Sequence, residues 1–85
     1  MAKKRYSVQA RAAYHEKRMN DSKVSKKKRD YSRFWIDGYN NKYARDNYAA
    51  VNQEIRMKRG RMSSTDRVIL YGWRNGMKAQ LDSKK

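Results

Sequence analysis

The longest patterned segment of the chain carries its apolar and small residues at the spacing of an amphipathic helix. The positions that share one face are Tyr31, Phe34, Trp35, Gly38, Lys42, Tyr43, Asp46, Asn47, Ala50, Val51 and Ile55. They follow one another mainly in steps of three and four, which is the period of a helical face. The pattern predicts one long helix over residues 26–58, with polar interruptions in its middle.

A short run within this segment is typical of a turn. Gly38 and Tyr39 are followed by Asn40 and Asn41, and glycine together with asparagine favours a change of chain direction. We therefore expect the long helix to be kinked near Gly38, with a break at residues 38–41 as the alternative.

The ends of this helix have local signals. Ser25 is a good N-cap, because its side-chain oxygen can accept a hydrogen bond from a backbone N–H of the first helical turn. At the other end, residues 56–61 combine basic side chains, which favour the negative end of the helix dipole, with Gly60, which favours a helix stop. These signals predict a helix that begins near Lys26 and ends near Lys58.

A second main helix is predicted over residues 64–81. Ser63 and Asp66 have the spacing of a capping box, with Asp in place of the usual Glu. One face of this helix carries Ile69, Gly72, Trp73, Gly76, Met77 and Gln80. Glycine weakens a helix by about 1 kcal/mol relative to alanine, so two glycines on this face indicate close backbone contact with another helix. The expected partner is the stripe of Phe34, Trp35 and Gly38.

The N-terminal segment has a weaker pattern, in which Tyr6, Ala10, Ala13, Tyr14 and Lys17 recur at helical spacing. It predicts a basic helix over residues 5–19, and the alternative is an arm that becomes helical only on binding. The fold prediction is therefore all-α, a small bundle of two main helices plus this N-terminal helix or arm. We divide the chain into the basic arm or short helix with its linker (residues 1–24) and a compact helical domain (residues 25–85).

The composition argues against an enzyme. A chain of 85 residues forms one domain at most, and only 10 of them are Val, Ile, Leu or Phe. Seven Tyr, two Trp and five Met add apolar area, so we expect a small aromatic core and no pocket for a small-molecule substrate. The chain contains no cysteine, which excludes disulfides and thiolate zinc sites.

Other features point to a cytoplasmic protein without a metal or cofactor. No apolar stretch approaches the roughly 20 residues of a membrane span, and no apolar signal region follows Met1, so we expect no membrane partner. His15 is the single histidine and lacks the second histidine of a zinc-protease motif. We expect neither a catalytic nor a metal-binding role for it.

The charge of the chain predicts a polyanionic partner. The formal net charge is +15, from 23 Lys and Arg against 8 Asp and Glu, and residues 1–30 hold 11 of the basic side chains. Residues 26–29 would place four cations in the first turn of a helix, at the positive end of its dipole. A bound phosphate would make that position favourable. The alternative is a solvated run that only maintains solubility.

The candidate nucleic-acid contacts include this run, a second basic cluster at residues 56–61 and the N-terminus. Arginine, which is abundant in the second cluster, suits bidentate phosphate contacts and stacking on unpaired bases. The candidates are Lys3, Lys4, Arg5, Arg11, Lys26, Lys27, Lys28, Arg29, Arg33, Arg56, Lys58, Arg59, Arg61 and Arg74. Tyr39 and Tyr43 are candidates for base stacking, with packing in the core as the alternative for each. Neutralising about 6–10 phosphates would lower the affinity about 10³–10⁵-fold between about 50 and 200 mM salt.

Two short segments resemble a known family. The segment from Leu70 to Met77, which reads Leu-Tyr-Gly-Trp-Arg-Asn-Gly-Met, resembles the Gly-Trp-Arg-x-x-Met segment of bacterial ribosome modulation factor. Gly38 and Tyr39, preceded by a basic stretch, resemble that family's Gly-Tyr-x-x-Gly segment, and the two motifs occur in the same order. The resemblance covers roughly residues 26–80. This chain has Lys42 in place of the second glycine, and a longer stretch between the motifs.

The resemblance implies a small two-helix protein that binds the small ribosomal subunit near the messenger-RNA exit region and silences translation by promoting ribosome dimers. Gly38, Tyr39, Gly72, Trp73 and Arg74 fall on motif positions, and most of these would be structural.

The leading hypothesis is a non-catalytic protein that binds structured RNA through phosphates, with ribosomal RNA preferred over DNA and ribosomal proteins as further partners. It would be a modulator of translation of the hibernation type or one encoded by a phage. The first alternative is a DNA-binding accessory protein of a nucleoid or a phage, since phosphate contacts do not distinguish the two polymers. The second is an inhibitor or assembly factor that docks on an acidic host protein through exposed Trp35, Trp73 or Tyr71.

Overall fold

Four helices account for most of residues 7–83, the part of the chain that the computed structural model describes. They are α1 (Val8–Met19), α2 (Lys26–Tyr39), α3 (Ala44–Met57) and α4 (Ser64–Ser83). No strand occurs in this part of the chain, which confirms the all-α prediction. The first helix is capped by Ser7, whose Oγ accepts a hydrogen bond from the backbone N–H of Ala10 at 3.1 Å.

The prediction of two main helices plus an arm is wrong, because residues 26–58 form two helices separated by residues 40–43. The chain breaks there, which was the alternative to a kink. Asn41 is the local cause, since its Oδ1 accepts hydrogen bonds from the backbone N–H of Tyr43 at 2.8 Å and from Nδ2 of Asn47 at 3.0 Å. The Asn41 side chain therefore stabilises the turn that separates the two helices.

A contact from α4 stabilises the same break. The Nε2 of Gln80 donates hydrogen bonds to the backbone oxygens of Tyr39 at 2.6 Å and Asn41 at 2.7 Å. The Tyr39 oxygen lies in the last turn of α2, where a helix leaves backbone acceptors without an internal partner, and the Asn41 oxygen lies in the turn that follows. The break is therefore a product of tertiary structure as well as of local composition.

The predicted signals at the other helix ends are confirmed. The Oγ of Ser25 accepts from the backbone N–H of Lys28 at 3.4 Å, and the Oγ of Ser63 accepts from that of Asp66 at 3.1 Å. Gly60 follows α3 with a φ of 81°, in the left-handed region that favours glycine after a helix.

The glycines of α4 make the predicted close contact with α2. A Cβ added at Gly72 would lie 2.8 Å from the Cβ of Phe34, and one added at Gly76 would overlap the carbonyl oxygen of Trp35. Gly38 of α2 lies equally close to the backbone of α4. Only glycine permits the two backbones to approach this far.

The order of contacts shows that α2 and α4 run in the same direction. Gly72 meets the middle of α2 at Phe34, whereas Gly76 meets Trp35 and Tyr39. The side chain of Gln80, one turn further along α4, reaches the end of α2. Later residues of one helix therefore meet later residues of the other, and both helices begin at the same end of the molecule.

The core lies between α2, α3 and α4. Its buried apolar residues are Trp35, Ala44, Val51, Ile55, Leu70, Met77 and Ala79. The third helix packs against α4, with Val51 and Ile55 in one cluster with Leu70 and Met77. No helix within residues 7–83 has the length and apolar character required to cross a membrane.

The first helix packs on α2 through a polar contact. Ser32 of α2 is 0% exposed, and its Oγ accepts a hydrogen bond from the Nε of Arg18 at 2.7 Å. The Nδ1 of His15 lies 3.0 Å from the same oxygen, and the His15 ring stacks on Trp35 with centroids 4.4 Å apart. The division of the chain at residue 24 remains a prediction.

Candidate nucleic-acid interface

The two basic clusters of the sequence lie on either side of the first turns of α4. On one side, Lys26 and Lys27 line a groove together with Ser64 and Thr65 of α4. On the other side, Arg59 from the loop before α4 lines a cavity together with Arg67 and Arg74 of that helix. Because α2 and α4 begin at the same end of the molecule, clusters about 30 residues apart in sequence share that end.

The groove between α2 and α4 combines basic walls with apolar residues. It has a volume of about 530 Å³, and its apolar lining comes from Phe34, Val68 and Ile69. Each helix N-terminus carries a partial positive charge equivalent to roughly half a proton charge, and here two such termini lie side by side. The side chains of Lys26, Lys27 and Arg33 add full charges to the same groove.

One acidic residue lies in this groove and is paired. The Nζ of Lys26 is 2.7 Å from the Oδ2 of Asp30. The hydrogen bond from Lys26 lowers the pKa of Asp30, so the carboxyl stays charged and offsets Lys26. Lys27, Lys28 and Arg33 are exposed and form no ion pair within residues 7–83. The charges of these three side chains are therefore available to a partner.

Arg29 differs from its neighbours in the run. It is half-buried, and its Nε is buried with no hydrogen-bond partner among residues 7–83. Of the four predicted contacts at residues 26–29, three are thus exposed and one is partly enclosed by the fold.

Some residues of the second cluster make contacts at the end of α3, whereas Arg59 lines a cavity. The Nη2 of Arg61 donates to the backbone oxygen of Met57 at 3.2 Å, and so satisfies an acceptor at the end of α3. Lys58 pairs with Glu54 at 3.0 Å, and this hydrogen bond raises the pKa of Lys58. Arg56 is exposed on the last turn of α3.

The cavity beside this cluster has a volume of about 400 Å³. Its lining consists of Ile55, Arg59, Gly60, Met62, Arg67, Tyr71 and Arg74. The guanidinium carbon of Arg74 lies 4.6 Å from the centre of the Tyr71 ring, within the range of a cation–π contact. Arg67 and Tyr71 were not among the predicted nucleic-acid contacts, although they lie one turn apart on the face that ends at Arg74. Tyr71, which was predicted as an exposed docking residue for a protein partner, is half-buried.

The remaining predicted contacts lie elsewhere. Arg11 is exposed on α1 and borders a different cleft, which Lys78 and Asp82 of α4 also line. Lys3, Lys4 and Arg5 lie outside the described residues. The structure therefore brings together the two central clusters and does not add Arg11 to them.

The two tyrosines proposed for base stacking have different surroundings. Tyr39 is half-buried, and its ring stacks on Trp35 with centroids 5.4 Å apart. Tyr43, in the turn between α2 and α3, is 70% exposed. Only Tyr43 presents most of its ring to a ligand.

The two tryptophans are less exposed than we predicted for residues that dock on a protein partner. Trp35 is only 3% exposed, so its predicted use as an exposed anchor is wrong. It packs between the backbone of α4 and the ring of His15. Trp73 is half-buried, and its Nε1 donates to the Oδ2 of Asp37 at 3.1 Å.

His15 has a structural environment that lowers its pKa to about 4. The main cause is burial, followed by the positive charges of Arg18 and Arg11. The ring is therefore neutral at pH 7, and the Ser32 hydroxyl can donate to its Nδ1 while accepting from Arg18. Within the described part of the chain, no three His, Asp or Glu residues group closely enough to hold a metal ion.

Comparisons with known proteins identify no similar protein. No protein-family model matches it, and neither the curated proteins nor the solved structures contain a match.

Proposed function

We propose that this protein binds structured RNA through its phosphates, without a catalytic step. The observation that supports the proposal is the convergence of two basic clusters around the start of α4, next to the parallel N-terminus of α2. An anion at this end would meet exposed lysines and arginines together with two positive helix ends. A repeating chain of phosphates fits a surface of this extent better than a single small anion does.

RNA is preferred over DNA because the protein also offers groups that stack on unpaired bases. Arg74 lies over Tyr71 beside the second cluster, and Tyr43 is exposed at the opposite end of α2. Aromatic rings and guanidinium planes of this kind are characteristic of contacts to loops and bulges of RNA. A DNA duplex keeps its bases stacked, so it would use only the phosphate contacts.

The ribosome is the structured RNA that we propose first, by analogy with ribosome modulation factor. Of the residues on motif positions, Gly38 and Gly72 lie in the contact between α2 and α4, which is consistent with structural roles. Arg74 lies in the cavity beside the basic loop and is the motif residue placed to meet a ligand. A protein of this kind would modulate translation by occupying ribosomal RNA.

Co-sedimentation with ribosomes tests this proposal. We expect the protein in the ribosomal fractions at about 50 mM salt and its release at about 200 mM, because each phosphate contact is lost as salt rises. Absence from these fractions at low salt would contradict the ribosomal version.

Competition between a structured RNA and double-stranded DNA at matched salt tests the choice of polymer. We expect the RNA to displace the DNA, and equal or stronger binding of the DNA would favour a nucleoid or phage DNA-binding role. Nuclease treatment of a pull-down separates an acidic protein partner from both, since a protein-mediated contact survives it.

A further inference from the structure

The cavity beside Arg74 has features that simple phosphate binding does not require. It is separate from the groove between α2 and α4 and is formed by the loop at residues 58–63 and one face of α4. Its volume of about 400 Å³ lies within the range of small-ligand sites, roughly 300–1,000 Å³. A single nucleotide of a nucleic acid is a ligand of this size class.

The positive charge of the cavity favours an anionic ligand. Arg59, Arg67 and Arg74 line the cavity, and no acidic side chain of the described residues does. None of the three forms an ion pair within residues 7–83. Arginine presents a planar set of donors that matches two phosphate oxygens, so this set is suited to phosphate. Arg59 and Arg67 are exposed, and their side chains can move to meet the ligand.

The third arginine is held in a different way. Arg74 is half-buried, with its guanidinium over the Tyr71 ring and its Nε donating to the Oδ1 of Asn75 at 3.2 Å. The contact with Tyr71 and the hydrogen bond to Asn75 hold the guanidinium at the cavity, where a flat group could stack on it. Unpaired RNA bases stack on such guanidinium planes. A base that remains paired in a helix cannot present its face in this way.

The loop at residues 58–63 contributes Arg59, Gly60 and Met62 to the lining of the cavity. Gly60 has a φ of 81°, and a Cβ built on it would meet no atom within 4 Å. Met62 and Ile55 supply apolar lining next to the arginines. The site thus combines an apolar lining, the planar guanidinium of Arg74 and the exposed guanidinium groups of Arg59 and Arg67.

We propose that this cavity holds one unpaired nucleotide of the RNA, with its base stacked on Arg74 and its phosphate bound by Arg59 and Arg67. The inference rests on the proposed function, because it assumes that RNA is the partner. It adds that the protein prefers RNA with a flipped-out or bulged nucleotide over fully paired RNA of the same length.

The test uses two RNA hairpins that differ only in a single bulged adenosine in the stem. The affinities of the protein for both hairpins are measured at the same salt concentration by fluorescence anisotropy. Stacking of one base should favour the bulged hairpin by about fivefold or more. The variant Arg74→Lys keeps the charge but lacks the flat guanidinium, so it should lose the preference and bind the two hairpins with equal affinity.

Arg45→Lys is the matched control, because Arg45 is exposed on α3 and does not line this cavity. It should retain the preference for the bulge. Equal binding of both hairpins by the unmodified protein would overturn this inference and leave RNA binding intact, whereas failure to bind either would overturn both proposals. A bulge preference that survives Arg74→Lys would overturn the assignment of the base to this cavity.

Discussion

The Nδ1 of His15 lies 3.0 Å from the Oγ of Ser32, which is fully buried between α1 and α2. Through this contact α1 packs on α2, and the His15 imidazole that takes part in it can titrate. Because Ser32 Oγ also accepts from Arg18, its single hydroxyl proton can be donated to a neutral imidazole. A protonated imidazole could no longer accept that hydrogen bond.

The first prediction is that acid weakens the folded state through His15. Its pKa is lowered in the fold from 6.5 to about 4, so the unfolded chain takes up a proton at higher pH than the folded chain does. The contribution of His15 to stability is complete above about pH 6.5 and decreases as the pH falls towards 4. Urea unfolding at several pH values should show this loss.

The control for this prediction is His15→Asn, which keeps an acceptor near Ser32 and cannot titrate. The difference in unfolding free energy between the two proteins should shrink as the pH falls from 6.5 to 4. Carboxyls such as Asp30, whose pKa is also lowered, are present in both proteins, so their contribution cancels in this difference. A constant difference across this range would exclude the titration of His15 as the cause.

The second prediction concerns the glycine contact between α2 and α4. Gly76→Ala should destabilise the protein although alanine is the better helix former by about 1 kcal/mol, because the added methyl overlaps the backbone of Trp35. Overpacking of this kind costs roughly 1–3 kcal/mol, and we expect Gly76→Ala at the upper end or beyond it. Gly72→Ala should cost less, since its nearest atom is the Phe34 Cβ at 2.8 Å. Thermal unfolding of both variants gives the order, and a stabilised Gly76→Ala variant would contradict the close contact.

The third prediction compares the two tryptophans. Trp35 is 3% exposed and supports α1 through His15, so Trp35→Ala should cost about 3–5 kcal/mol. Trp73 is half-buried and loses less packing on truncation. Chemical denaturation should therefore give the larger loss for Trp35→Ala, and the reverse order would show that the core is centred elsewhere.

The sequence allowed good predictions wherever the cause was local. The caps at Ser25 and Ser63 and the stop at Gly60 each depend on a few neighbouring residues, and all three are confirmed. The glycine contact was also predictable, because glycine on an apolar helix face weakens the helix unless another backbone packs closely against it. The N-terminal helix was expected in position, although its contact through His15 was not.

The features that were missed depend on parts of the chain far apart in sequence. The helical spacing of apolar residues continues across residues 40–43, and the break there is stabilised by Gln80 from α4. The parallel course of α2 and α4 likewise cannot be derived from either helix alone. Without it, neither the shared end of the two basic clusters nor the cavity with Arg67 and Tyr71 could be predicted.

We propose that phosphates bind at the end of the molecule where α2 and α4 begin, and the salt dependence of RNA binding tests this proposal most directly. Lys27 and Lys28 are exposed at this end, whereas Lys42 and Arg45 are exposed near the opposite end of α2. Changing either pair to Gln removes two positive charges, so the two double variants have the same net charge.

The measurement is the slope of the logarithm of the RNA-binding constant against the logarithm of the salt concentration. For Lys27→Gln with Lys28→Gln, we predict weaker binding and a slope smaller by about two, because each lost phosphate contact lowers it by about one. The variant with Lys42→Gln and Arg45→Gln should keep a slope close to that of the unmodified protein. Equal slopes for the two double variants would contradict the account, since the clustered lysines would then act only through the overall charge.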